Sequence, residues 1–148
     1  MHKYMLALMT MFISAKTVPA DNANDISAIE KTARDYMEAW YNGDAKKMEA
    51  VLHKELAKRS MNPEFGAKMD LRLTTASDMI SYTKSGYGKS LWTKDMDIEI
   101  TVLDFRNNIA SVKVITPHYY EYLHLIKIDR KWVIVNALYG KNTPVEKL

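Results

Sequence analysis

The first part of the chain carries apolar residues at helical spacing, in two segments that a short turn separates. The first stripe comprises Ile26, Ile29, Ala33, Tyr36, Met37 and Trp40. This spacing is typical of a helix that is buried on one side. Asn42-Gly43 ends the predicted helix, because glycine adopts the left-handed terminal conformation without steric cost. Asp44 then caps a second predicted helix, whose stripe is Ala45, Met48, Val51, Leu52 and Leu56.

The middle of the chain contains turn signals and one further helix. A proline and a glycine break regular structure within residues 60–70, which are therefore predicted to form a loop or an edge. Thr75 and Asp78 have the spacing of a capping box, and they predict a short third helix that reaches about Lys84. Gly86-Tyr87-Gly88 is predicted to be a flexible connector.

Beyond Trp92 the apolar period changes to two, which is typical of strands with one buried face. Four strands are predicted, with these alternating residues: Ile98, Ile100 and Val102; Ala110, Val112 and Val114; Tyr120, Tyr122, His124, Ile126 and Ile128; Trp132, Ile134, Asn136 and Leu138. Short connectors at residues 106–108 and 129–131 require the strands that they join to be antiparallel. The sequence therefore predicts the α+β class, with N-terminal helices packed on one face of a strongly bent antiparallel sheet.

The first 20 residues have the features of a secretory leader. Lys3 is followed by a short apolar run, and Val18-Pro19-Ala20 fits a signal-peptidase site. The run is shorter than the roughly 20 apolar residues that a membrane-spanning helix needs. We therefore expect residues 1–20 to be a cleaved export signal and residues 21–148 to form a single domain, periplasmic or secreted, with no membrane span. The pattern leaves open a buried or disordered N-terminal helix.

Composition argues against several classes of function. Two of the 21 Lys and Arg residues lie in the predicted leader, so the rest of the chain is nearly balanced against its 18 Asp and Glu residues. A nucleic-acid surface would need a clustered basic excess, and Lys46-Lys47 and Lys58-Arg59 are predicted to lie on solvated helix faces. The chain has no cysteine, which excludes disulfides and thiolate chemistry. The histidines lack metal-ligand spacing, so no metal is expected, and no cofactor motif is found. The nearly balanced charge means that no nucleic-acid partner is expected either.

Three segments carry a resemblance to a known family: Trp40-Tyr41-Asn42-Gly43-Asp44, Leu52-His53 with Leu56 to Arg59, and Tyr122 to Asn136. They resemble the putative lumazine-binding family, which belongs to the nuclear-transport-factor-two-like superfamily of cone-shaped α+β domains. The resemblance covers about residues 25–140 and implies a helix-wrapped sheet that encloses a pocket. That superfamily includes ketosteroid isomerase, polyketide cyclases, dehydratases and non-catalytic binding or dimerisation modules, and fold alone does not choose among them.

A pocket inside such a cone needs aromatic walls and a few convergent polar groups. The candidates are Tyr36, Trp40, His53, Arg59, Tyr122 and His124. The aromatic residues would supply walls with one polar tip each, the histidines an acid, a base or a hydrogen-bonding group, and Arg59 a grip on a carboxylate or enolate oxygen. The same residues also fit structural roles: the helix aromatics as ordinary core, His53 as a helix-end cap, Arg59 as a surface residue, and the two strand residues as contacts of a partner sheet.

Two functions are compatible with this pattern. The first is an exported, non-catalytic domain that binds an unknown small molecule or dimerises. The second is an acid–base enzyme of the isomerase, cyclase or dehydratase kind acting on a small hydrophobic or aromatic substrate, which needs a base in a dry pocket. Asp97, Asp104 and Glu121 are predicted to lie at strand ends or on solvated faces, and this favours the binding function. Because both faces of the strand at residues 119–128 carry apolar residues, a homodimer is also predicted.

Overall fold

The computed structural model of the protein describes residues 20–61 and 71–142. The helices of this part are α1 (Ala20–Asn42), α2 (Ala45–Val51) and α3 (Ala76–Lys84), and a short 3-10 helix covers Lys89–Leu91. The strands are β1 (Leu52–Met61), β2 (Leu71–Thr74), β3 (Glu99–Arg106), β4 (Ile109–Ile115), β5 (Tyr119–Ile128) and β6 (Lys131–Lys141). Residues 1–19 of the predicted export signal and residues 62–70 of the predicted loop lie outside the described residues.

The helix boundaries follow from local capping. Gly43, with a φ of 68°, follows α1, and the Asp44 side chain then accepts a hydrogen bond of 2.9 Å from the Lys47 amide at the start of α2. The predicted capping box of α3 is present, because the Thr75 hydroxyl accepts from the Asp78 amide while the Asp78 carboxylate accepts from the Thr75 amide. The predictions for α1 and α3 are confirmed.

The strands form one six-stranded sheet in the order β2-β1-β6-β5-β4-β3. The hairpins from β3 to β6 are antiparallel, as their short connectors require. Asn107 (φ 51°) and the pair Asp129 and Arg130 (φ 48° and 65°) adopt the left-handed conformation that such tight turns favour. Three helices and this sheet confirm the predicted α+β class.

The prediction for the segment that forms β1 was wrong. It extends the second helix through Leu56, and it places Lys58-Arg59 on a solvated helix face. Helix α2 ends at Val51, and β1 begins at the next residue. The buried side chains of β1 alternate at Leu56, Lys58 and Ser60, but two of these three are polar, so the period of two is hidden. β1 pairs with β6 in parallel, which makes the sheet mixed and not purely antiparallel.

The core lies between the helices and one face of the sheet, which we call the inner face. It contains the α1 stripe, Met48 of α2 and inner-face residues of the strands, including Ile29, Met37, Leu123, Leu125 and Ile134. The alternate residues point to the opposite, outer face. There Tyr120, Tyr122 and Leu138 remain 45%, 47% and 54% exposed. The three described helices therefore leave the outer face open to solvent.

Candidate ligand-binding site

A cavity of about 270 Å³ lies between the inner face of the sheet and helices α1 and α3. Six aromatic side chains line it: Tyr36, Trp40, Tyr82, Tyr87, Tyr119 and Tyr139. Four charged side chains also line it: Lys58, Arg72, Glu121 and Lys141. Aromatic walls with a few polar groups are typical of small-molecule sites, and this volume lies near the lower end of their usual size of roughly 300–1,000 Å³.

The buried end of the cavity, which we call the floor, is formed by Tyr36, Lys58 and Glu121. Lys58 Nζ lies 3.0 Å and 2.9 Å from the two carboxylate oxygens of Glu121. It also donates to the Tyr36 hydroxyl at 2.6 Å, and that hydroxyl donates to Glu121 Oε2 at 3.1 Å. Each of the three residues is at most 6% exposed. The floor is therefore an internally paired, hydrogen-bonded cluster of a cation, an anion and a phenol.

The sheet order brings the floor residues together from distant parts of the chain. β6 lies between β1 and β5, and in this register Tyr139 pairs with Ser60 on one side and with Glu121 on the other. The Lys58 ammonium lies 4.1 Å from the centroid of the Tyr139 ring, and this cation–π contact stabilises the buried positive charge. The floor thus spans three adjacent strands and is covered by Tyr36 of α1.

The electrostatics of the floor keep the Tyr36 phenol protonated. Burial raises the pKa of Tyr36 well above its ordinary value, and the negative charge of Glu121 raises it further. Burial is also the main reason why the pKa of Tyr119, beside the floor, rises to about 12. Both phenols are neutral at physiological pH, so the net charge of the floor comes from Lys58 and Glu121 alone and is zero.

Trp40 forms a wall of the cavity, and a glycine fixes its position. The indole ring is 5.9 Å from the Tyr87 ring, centroid to centroid. A Cβ atom at Gly88 would lie 2.4 Å from the Trp40 carbonyl oxygen and 2.8 Å from the indole ring. The connector can therefore pass this closely over Trp40 only because residue 88 has no side chain.

The exposed members of the lining form the mouth of the cavity. Tyr82 and Tyr87 are 38% and 66% exposed, and Arg72 and Lys141 are exposed as well. The Arg72 guanidinium donates to the Tyr82 hydroxyl at 3.1 Å. The mouth thus combines aromatic rings with two cationic side chains.

Of the predicted site residues, Tyr36 and Trp40 line the cavity, and His53 and Arg59 do not. His53 Nδ1 accepts a hydrogen bond of 3.2 Å from the Glu55 amide, at the beginning of β1. Arg59 is exposed, because it alternates with the inward-facing Lys58 and Ser60. Both residues were predicted to line the pocket from the second helix, but the segment that carries them is strand β1.

Tyr122 and His124 also lie away from the cavity, on the outer face. The inner-face residues of β5 are Glu121, Leu123 and Leu125, so the residues between them point outward. His124 borders a shallow outer depression, next to its cross-strand neighbours Ser111 and Asn136. The alternation of β5 leaves open which of its faces is concave, and the face opposite Tyr122 and His124 lines the cavity.

Among the lining residues that the sequence analysis missed, Lys58 and Glu121 form the floor. Glu121 was placed on a solvated face, but it is 2% exposed. It shares its alternation with Leu123 and Leu125, but Tyr120 and Tyr122 make the other face of the strand apolar as well, so the alternation did not show which face is buried. In the described ranges, no group of three or more His, Asp or Glu residues could hold a metal ion, and no helix is long and apolar enough to span a membrane.

Comparisons with known proteins agree with this architecture. The family described as Putative lumazine-binding matches residues 24–140. No protein of curated function matches the chain. An NTF2-like protein of unknown function from Methylobacillus flagellatus is 23% identical, with a TM-score of 0.67 over 85% of this chain and 96% of that one.

Two further solved structures carry names that suggest enzymes. A ketosteroid isomerase-like protein from Erwinia carotovora atroseptica is 19% identical, with a TM-score of 0.57 over 81% of this chain and 98% of that one. A putative scytalone dehydratase from Novosphingobium aromaticivorans is 16% identical, with a TM-score of 0.58 over 86% of this chain and 97% of that one. At these identities the likeness establishes the fold alone. The chain has an NTF2-like fold and belongs to the putative lumazine-binding family.

Proposed function

We propose that this protein is a non-catalytic domain that binds a small aromatic molecule in the cavity between α1, α3 and the sheet. The observation that carries the proposal is an aromatic-lined cavity of about 270 Å³ whose polar floor is already paired internally. Lys58, Glu121 and Tyr36 satisfy one another, so they hold a rigid surface against which a ligand can pack. An apolar cavity of roughly 150 Å³ holds benzene. This cavity of about 270 Å³ is therefore large enough for a single aromatic ring or for two fused rings.

Mass spectrometry of small molecules released from the purified native protein tests this function. We expect a co-purifying aromatic compound that is absent from a cavity-filling variant, Thr74→Phe, in which a buried lining residue is enlarged. Thr93→Phe, an equal enlargement at an exposed position, serves as the control and keeps the compound. An unchanged amount of the compound in the Thr74→Phe variant would show that it binds elsewhere and would contradict the proposal, provided that both variants fold.

A second candidate is an acid–base enzyme, which one observation favours. Glu121 is a buried carboxylate that lines the cavity, and this is the kind of group that proton abstraction requires. Similar folds named ketosteroid isomerase-like and scytalone dehydratase agree with this class. Turnover of the released compound by the wild type, lost in Glu121→Gln while binding persists, would favour the enzyme. Binding without turnover would favour the first function.

The binding domain is also proposed to act outside the cytoplasm, periplasmic or secreted. Lys3, the apolar run after it and the small residues at Val18-Pro19-Ala20 support a cleaved export signal. N-terminal sequencing of protein recovered from the medium or the periplasm tests this. A first residue at Asp21 is expected, and a soluble protein that retains Met1 would contradict cleavage.

Self-association through the outer face is the remaining part of the proposal. Tyr122 pairs with Leu138 across β5 and β6, and both side chains are about half exposed, so they form an exposed apolar pair. Ile109 on β4 and Ile128 on β5, which are 57% and 41% exposed, add apolar side chains at the other end of the outer face. Exposed apolar patches of this kind mark association sites in soluble proteins. We propose a homodimer that is formed by two outer faces.

A further inference from the structure

The hydrogen bonds within the floor determine which donors and acceptors remain available to a ligand. Lys58 carries three N–H groups, and three acceptors lie within 3.0 Å of its nitrogen: both oxygens of Glu121 and the hydroxyl of Tyr36. The single proton of the Tyr36 hydroxyl is directed at Glu121 Oε2. Neither residue therefore has a donor left for a ligand.

Acceptor capacity does remain at the floor. A carboxylate offers about four lone-pair positions, and Glu121 uses three of them, two for Lys58 and one for Tyr36. A ligand group that reaches Glu121 can therefore donate a hydrogen bond. A carbonyl or carboxylate at the same place would find no donor from these three residues and would meet another acceptor, which is unfavourable in a buried site.

The mouth has the opposite character. Arg72 and Lys141 both line it, and the Arg72 guanidinium has five N–H donors, of which one contacts the Tyr82 hydroxyl. Asp78 lies near Arg72, but its carboxylate accepts hydrogen bonds from the amide and hydroxyl of Thr75. A planar guanidinium with available donors is suited to a carboxylate.

We propose that the cavity binds an aromatic acid of one or two rings, with a hydroxyl or N–H donor at its buried end and a carboxylate at the mouth beside Arg72. This inference rests on the proposed binding function and adds the chemical class and orientation of the ligand. The remaining acceptor position of Glu121 and the donors of Arg72 are complementary to the two ends of such a molecule, and its rings would pack against the aromatic walls.

Calorimetric titration of the full chain with four matched probes tests the orientation. The probes are 6-hydroxy-2-naphthoate, 2-naphthoate, 6-methoxy-2-naphthoate and 6-hydroxy-2-naphthamide. We expect the first to bind about tenfold more tightly than each of the other three, since a hydrogen bond to a charged group contributes roughly that factor. Equal affinities would overturn the inference and leave the binding function standing. Binding by none of the four would overturn the inference, and the released-compound experiment would then decide the binding function separately.

A variant at the mouth tests the placement of the carboxylate separately from that of the buried hydroxyl. Arg72→Gln should weaken 6-hydroxy-2-naphthoate by about three- to tenfold, because a partly exposed charge-assisted hydrogen bond is lost. It should leave the naphthamide, which has no carboxylate, within about twofold of its wild-type affinity. Lys131→Gln, the same loss of charge at an exposed position away from the cavity, serves as the control. Equal weakening of both probes by Arg72→Gln would overturn the placement of the carboxylate.

Discussion

Lys58 and Glu121 form an ion pair at 2.9 Å although their side chains are only 8% and 3% exposed. The two residues belong to strands that β6 separates, so the pair joins β1 to β5 across the inner face. An ion pair in such a position does not have to stabilise the fold relative to apolar side chains, because removing both charges from water is costly. Its position in the cavity lining gives it a role in the shape and polarity of the site.

Removing one partner of this pair should be strongly destabilising. Lys58→Met leaves the Glu121 carboxylate buried without its cation, and losses of about 3–5 kcal/mol are typical of such changes. Urea denaturation with matched m-values measures the loss. The double variant Lys58→Met/Glu121→Leu should recover most of it. A matched control is Lys31→Met, which breaks the exposed pair with Asp35 and should cost at most about 1 kcal/mol. Comparable effects of Lys58→Met and Lys31→Met would contradict the buried pair.

Gly88 should tolerate a methyl group poorly. In Gly88→Ala the new Cβ meets the Trp40 backbone oxygen, which cannot move aside, and overpacking of this kind costs about 1–3 kcal/mol. In Gly140→Ala the new atom meets the ring tip of Tyr120, a half-exposed side chain that can rotate away. Thermal unfolding of both variants should therefore rank Gly88→Ala as the less stable, and the reverse order would contradict the close contact at Trp40.

Alkaline pH should destabilise the fold through its buried phenols. Burial raises the pKa of Tyr119 to about 12, and that of Tyr36 well above its ordinary value, compared with about 10 in the unfolded chain. The folded state therefore holds these protons more tightly. This contribution to stability is fully present below pH 10 and is lost as the pH rises through 12.

Tyr119→Phe tests this dependence. The variant lacks one of the raised phenols, so its free energy of unfolding should fall less steeply than that of the wild type between pH 10 and 12. Tyr120→Phe, at an exposed position on the outer face, is the matched control. Parallel pH profiles of wild type and Tyr119→Phe would indicate that Tyr119 is accessible to solvent.

A charge on the outer face should weaken the proposed homodimer. Leu138→Lys places an ammonium beside Tyr122 in the exposed apolar pair, and we expect the dimer Kd to rise at least about tenfold, since each buried leucine contributes roughly 1.5–3 kcal/mol. Sedimentation velocity at micromolar concentration measures the change. Ala50→Lys, on the exposed side of α2, should leave the Kd unchanged. A wild-type protein that sediments as a monomer throughout this range would contradict the dimer.

Much of the fold could be predicted because its elements repeat apolar residues in simple periods. The stripe from Ile29 to Met37 and the alternation of Val112 with Val114 are unambiguous signals of a helix and a strand. β1 could not be recognised in this way. Its inward residues Lys58 and Ser60 are polar, whereas Leu52 and Leu56 have helical spacing. The parallel pairing with β6 depends on this strand and was missed with it.

The site was predictable only where it belongs to a helix. Tyr36 and Trp40 follow from the α1 stripe, because that stripe must face the sheet. The contact between Lys58 and Glu121 joins residues 63 positions apart, and it exists only because of the sheet order. Apolar residues occur on both faces of β5, so alternation alone could not show that Glu121, and not Tyr122, faces inward.

The most direct test of a ligand in the cavity is the tryptophan fluorescence of the protein during titration with 6-hydroxy-2-naphthoate. Trp40 lines the cavity, whereas Trp92 packs against Tyr41 outside it. A saturable change in emission is expected in the wild type and in Trp92→Phe, and it should disappear in Trp40→Phe although calorimetry still detects binding. A change that persists in Trp40→Phe and disappears in Trp92→Phe would place the ligand outside the cavity and contradict the proposed site.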